Sequence, residues 1–264
     1  MTSRAPQPMP PRPRARASLA PESPMSSPRR KTRAIAGLNA DLLDQLSFYG
    51  AYHRNAINQC IHFVFVPGIV WSALVWMASS GPLLPASALN LPAAISSTPW
   101  MGAALPDALV AAASPNLAFF ATLAYASYYV LLEPFAGVAW TLLVGVPSFL
   151  TATWYRAARG DAACANALVV HLLSWYMQIH PGHAVFEKRR PALTESLFQS
   201  LALAPLFVWL EALFALGYRP KLRARLRRRV ARRVERMDAI KARGLAERPS
   251  WNRTVSKTVK PEIQ

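Results

Sequence analysis

The chain has 264 residues, 53% hydrophobic and only 16% charged, with a formal net charge of +17, whereas soluble domains carry roughly 25% charged residues. That balance argues against an ordinary soluble enzyme and describes a membrane protein with basic ends: nine Lys or Arg fall in residues 1–60 and sixteen in residues 218–264. The only two cysteines, Cys60 and Cys164, form no disulfide framework or zinc knuckle and read as small buried hydrophobes.

Residues 1–38 form a basic arm rich in Pro, Arg and Ser. They lack the apolar run of about 7 to 15 residues that a secretory signal needs, and Pro6, Pro8, Pro10, Pro11 and Pro13 oppose an amphipathic transit helix, so the arm reads as disordered. From Asn39, a plausible N-cap, Leu42, Leu43, Leu46, Tyr49 and Tyr52 recur at helical spacing, giving a surface helix that leads into the first span. Residues 61–77 carry no charge and are long enough to cross a bilayer, with Pro67 and Gly68 as a tolerated kink.

Residues 80–116 contain six prolines, no Lys or Arg and one acid, Asp107, and are expected to be a non-cytoplasmic loop, with the N-terminal arm cytoplasmic. Two spans follow in residues 117–155, split into a tight hairpin at Glu133-Pro134. Residues 162–179 form another apolar helix carrying His171, which His180-Pro181-Gly182 should end abruptly.

The last apolar run, 197–218, is interrupted by Pro205. If residues 61–77, 117–132, 135–154 and 162–179 all cross, His53 and His183 lie on one side, and a segment bent at Pro205 keeps the basic tail cytoplasmic. In the alternative, 162–179 lies in the interface and the last run spans, which separates the two histidine groups. The tail, 221–264, places Leu222, Leu226, Val230, Val234 and Met237 on one stripe among Arg and Lys, a pattern that usually lies on anionic headgroups. No aromatic stacking platform accompanies the charge, so nucleic acid is not an expected partner. Most Trp and Tyr residues read as an interface belt. The fold class expected is all-α: a polytopic membrane bundle of about four spans plus a re-entrant or interfacial C-terminal hydrophobic segment, with 39–220 as the membrane-embedded domain.

Five histidines occur, in two groups: His53 and His62, and His171, His180 and His183. Clustered at the ends of apolar segments they have the look of metal ligands, suiting iron, zinc, copper or nickel. Asn55, Asn58 and His62 share a helical face, and a site shared by His53 and His62 requires a bend between them. His171, Trp175 and Gln178 line another face; after the Pro-Gly break His183 and Glu187 are four apart. Two or more histidines with one carboxylate, Glu187, is the arrangement of non-haem Fe(II) that activates O2, with Asn58 and Gln178 as supporting residues. A lone interfacial histidine is more often a hydrogen-bonding residue than a ligand, and the weight lies on the set. Walker, GxSxG, HExxH and HxxHH signatures are absent.

Three stretches, YHRNAINQCIHFVFVP, GHAVFEKRRPAL and LAPLFVWLEALFALGYRP, resemble the family of the yeast endoplasmic-reticulum 2-hydroxy fatty acid dioxygenase across about residues 42–220. The resemblance implies an Fe(II)-dependent enzyme of the endoplasmic reticulum membrane. Such an enzyme uses O2 to shorten long-chain 2-hydroxy fatty acids such as 2-hydroxypalmitate by one carbon, in phytosphingosine breakdown and without an organic cofactor. His53, His62, His171 and His183 are then the metal ligands, Glu187 an optional carboxylate, and His180 outside the set because QIHPGH is one residue longer than the family text. The competing readings are a non-catalytic membrane scaffold or lipid-binding protein and, against the lack of internal repeats, a small transporter.

Overall fold

A computed structural model describes residues 40–191 and 196–246, with side chains to residue 243. The arm 1–38, the cap expected at Asn39 and residues 247–264 lie outside the described residues. Helices make up the fold, with no strand among the described residues.

Helix α1 (Leu42–Gly50) is capped by Asp41, whose carboxylate accepts the Asp44 N–H at 3.2 Å. The chain then turns, and α2 (Ala56–Ala78) begins at Asn55, whose side chain accepts from the backbone of Ile57 and Asn58. One continuous helix through this region is thus replaced by two, with His53 in the bend. Pro67 stays within α2.

The segment expected as a loop over 80–116 instead holds three short helices, α3 (Leu91–Ser96), α4 (Pro99–Ala104) and α5 (Asp107–Ala112). Prolines at the first turns of α3 and α4 start helices rather than break them, because those positions need no N–H. Leu91, Ile95 and Val110 pack against Leu74, Val75 and Ala78, closing one end of α2.

Helices α6 (Leu117–Leu132) and α7 (Pro134–Arg159) meet at Glu133, whose buried carboxylate caps α7 and accepts from Tyr218 Oη at 2.9 Å and Arg219 Nη1 at 2.7 Å. The hairpin is tight because residue 137 is glycine; a Cβ there would overlap the backbone of Tyr129 and Val130. Tyr129 and Trp140 pack edge to face at 4.8 Å in the core, so these two are not part of an interface belt.

Helix α8 (Asp161–Glu187) does not stop at Pro181. Its last ten residues, Gln178–Glu187, widen into a π-helix. The wider turn accommodates the proline ring and its missing N–H, and the helix ends only at Lys188, in left-handed conformation at φ 55°. Helix α8 runs antiparallel to α2, tied by Ser72 to His171 and by Trp76 Nε1 to the Cys164 carbonyl at 3.1 Å. Cys164 is half-buried and Cys60 exposed, so neither thiol is the fully buried group expected.

Helix α9 (Leu197–Ala215) is unbroken through Pro205. Four helices, α2, α7, α8 and α9, are long and apolar enough to cross a membrane, and α6 is a shorter apolar helix of 16 residues. This is the build of a polytopic membrane protein. Helix α10 (Pro220–Ala246) buries Leu222, Leu226 and Val234 in the core cluster that also holds α1. Arg229 and Arg233 lie 3.3 and 3.8 Å from Asp44. The apolar stripe expected to rest on headgroups is therefore spent inside the protein, because α1 offers it Leu46 and Phe48.

Candidate metal centre

His53 sits in the bend between α1 and α2, only 3% exposed. The ring of Tyr49, one turn back, stacks on it at 4.0 Å, and the Tyr49 carbonyl accepts from its Nδ1 at 2.8 Å. His62 repeats the device on α2, with Nδ1 donating to the Asn58 carbonyl at 2.9 Å. A carbonyl can only accept, so both rings carry hydrogen on Nδ1 and a lone pair on Nε2. Those two Nε2 atoms face each other at 3.1 Å.

Two lone pairs so placed repel unless a cation lies between them. Metal–nitrogen bonds of about 2.1 Å set near a right angle would put their nitrogens about 3 Å apart. His183, carried inward by the π-helical end of α8, completes the group: ligand atoms of His53, His62 and His183 all lie within 4.8 Å of one another. Its Nδ1 is buried with no partner. Burial first, then the neighbouring imidazoles of His62 and His183, hold His53 well below the ordinary histidine value of 6.5. It is neutral, the form that ligates metals. The residues present therefore fit a metal ion.

His171 lies farther along α8. Its Nδ1 faces Ser72 Oγ at 2.8 Å, and its Nε2 accepts from Trp175 Nε1 at 2.9 Å. Ser72 in turn donates to the Gly68 carbonyl at 2.7 Å, so the hydrogen must be on His171 Nδ1 and both ring nitrogens are engaged. His180 is exposed and stacks on Tyr176 at 5.6 Å.

Glu187 is not in the metal-ligand group. Its carboxylate accepts the backbone N–H of Arg54 at 2.9 and 3.0 Å, that of Asn55 at 2.9 Å, and Asn58 Nδ2 at 3.1 Å. A carboxylate is favoured at a helix N-terminus, and here it ties the end of α8 to the start of α2 and to the residue after His53. Gln178 is buried and donates to the Ser174 carbonyl at 3.2 Å.

The three histidines open onto a cavity of about 240 Å³, whose walls come from α2, α6, α8 and α9 and are mostly apolar; Gln178 and His171 border it too. Sequence spacing marked Tyr49 only as an apolar helix position and Gly182 only as part of a helix stop, neither as a residue of the site. The four-residue step from Tyr49 to His53 was the available signal for the first; nothing local gave that role to the second.

No solved structure matches the chain. The family model described as "2-hydroxy-palmitic acid dioxygenase Mpo1-like" matches residues 40–216. The 2-hydroxy-palmitic acid dioxygenase MPO1 of Saccharomyces cerevisiae (strain ATCC 204508 / S288c) is 33% identical over 184 residues, 70% of this chain and 86% of the yeast protein. The chain belongs to the Mpo1-like family. The matched region of this Mpo1-like chain contains His53, His62 and His183 together with the cavity, and leaves both basic ends outside.

Proposed function

We propose that the protein is an Fe(II)-dependent dioxygenase that uses O2 to shorten long-chain 2-hydroxy fatty acids, such as 2-hydroxypalmitate, by one carbon. The observation that carries this is the opposed pair of Nε2 atoms at 3.1 Å between His53 and His62, with His183 beside them on the wall of an apolar cavity. The yeast relative's activity supports the substrate class. Zinc has no redox chemistry, which leaves iron, copper and nickel among the metals suited to imidazole, and of these the family resemblance implies iron. Bound iron would supply O2 activation and a positive charge for the substrate's carboxylate and 2-hydroxyl.

The chain's residues do the rest. The carbonyls of Tyr49 and Asn58 fix the tautomers and ring planes of His53 and His62, and Glu187, with Asn58, holds the bend that carries His53. Gln178 presents an amide at the cavity wall. The apolar walls exclude water and take the acyl chain, leaving the polar head at the histidines. His171 secures α2 to α8 beside the chain. In this reading the protein is a multi-pass protein of the endoplasmic reticulum membrane with its N-terminus cytoplasmic, and its substrate derives from phytosphingosine.

The test is purification of the full chain in detergent, measurement of bound iron, and O2 uptake with 2-hydroxypalmitate with the shortened acid identified by mass spectrometry. Absence of iron and of O2 uptake, even after anaerobic Fe(II) loading, overturns the proposal and leaves a non-catalytic lipid-binding protein.

A further inference from the structure

The cavity has a direction. Along α2 its wall runs from His62 through Val66, Ile69 and Ala73 to Met77, a rise of fifteen steps or about 22 Å at ~1.5 Å per residue. One end is the histidine cluster. The other end is a floor: Met77, with Leu74 on the turn before it, lines the cavity and packs against the buried cluster formed by Val75 and Ala78 of α2 with Leu91, Ile95 and Val110 of the short helices. The backbone N–H of Leu117 donates to Ser80 Oγ at 3.0 Å, which sets the start of α6 against the end of α2. Ala121, one turn into α6, lines the same cavity as Ala73 and Met77.

Between cluster and floor, the polar side chains His171 and Trp175 satisfy each other and Ser72, so they offer an acyl chain a wall rather than a competing anchor. Ser200, also on the cavity wall, keeps a buried hydroxyl without a partner but carries no charge, so for a substrate whose carboxylate head is fixed at the histidines the methyl end is placed by the chain's length. Resting on the dioxygenase reading, we propose that Met77, Ala73 and Ala121 form a gauge that sets the longest acyl chain the protein accepts. The two alanines leave the deep half open, and Met77 with the packed cluster behind it closes the end. A chain too long for the floor cannot seat its head at the histidines, because a packed interior does not yield to added methylenes without cost.

The test uses the full-length wild-type protein and the variants Ala121→Phe, Ala73→Phe and Met77→Ala, with straight-chain 2-hydroxy acids from decanoic to behenic length. Filling the deep half should lower kcat/KM for the long acids by at least roughly tenfold while leaving short acids within about twofold. Met77→Ala should move the preferred length upward. Equal loss at every length, or no change of profile in any variant, overturns the gauge. The same series of fatty acids lacking the 2-hydroxyl, read by the ligand-induced shift in unfolding temperature, tests the gauge without catalysis. If wild-type protein turns over no 2-hydroxy acid yet the length dependence of binding moves as stated, the dioxygenase reading fails and the gauge stands. If turnover is found but neither profile moves, the gauge alone fails.

Discussion

Gly182 lies directly against Asn58: a Cβ on Gly182 would stand 2.5 Å from Asn58 Oδ1. This close approach brings the π-helical end of α8 onto α2, one residue before His183 and one turn before His62. Asn58 cannot swing aside freely, because its Nδ2 is held by Glu187. Gly182→Ala should therefore push the two helices apart, destabilise the protein by about 1 to 3 kcal/mol as overpacked positions do, and lower iron retention. Unfolding temperature and metal content per chain measure both. Wild-type retention in Gly182→Ala would show that the approach is not needed for the site.

Alanine at His53, His62 or His183 should each abolish stoichiometric iron, since each removes one of three imidazoles that come within 4.8 Å of one another. His171→Ala should keep the iron and lose stability, by about 1 kcal/mol for the hydrogen bonds to Ser72 and Trp175. Metal analysis of the four purified variants separates the roles. Loss of iron in His171→Ala comparable to that in His183→Ala would place His171 among the ligands.

Glu187→Gln keeps the shape but gives up the charge that receives the N–H groups of Arg54 and Asn55. Charge-assisted bonds of this kind contribute about 1.5 to 3 kcal/mol, so the variant should be less stable with or without metal. A ligand would behave differently, lowering stability only when iron is bound. Denaturation of the metal-free and iron-loaded forms distinguishes the two.

The pH dependence has a definite sign. His53 is held below 6.5 when folded, chiefly by burial, and returns to that value when unfolded. As pH falls below 6.5 the unfolded chain takes up the proton first, so this contribution to stability is whole above 6.5 and is lost as pH falls toward the folded value. Unfolding temperature of the metal-free protein should therefore decline on acidification below pH 6.5, and His53→Asn should flatten that decline. A steeper decline in the variant would reverse the assignment.

The apolar runs, the hairpin at Glu133-Pro134 and the two histidine groups were legible because hydrophobicity and helical spacing are local properties of the chain. The bend needed between His53 and His62 was legible as well, since nine residues on one straight helix would point them apart. The sequence by itself thus determined an all-helical membrane protein and two local groups of histidines. Only the tertiary structure decided the rest. The Pro-Gly step became a π-helix instead of an end, since a wider turn relieves the proline and the packing of α8 on α2 rewards continuing. The short helices α3 to α5 formed where prolines suggested a loop, because burying Leu91, Ile95 and Val110 at the end of α2 outweighs weak local propensity. Which imidazoles converge, and whether Glu187 faces the cluster or the start of α2, depend on how helices distant in sequence approach. Close packing sets that approach, and no spacing within one segment encodes it.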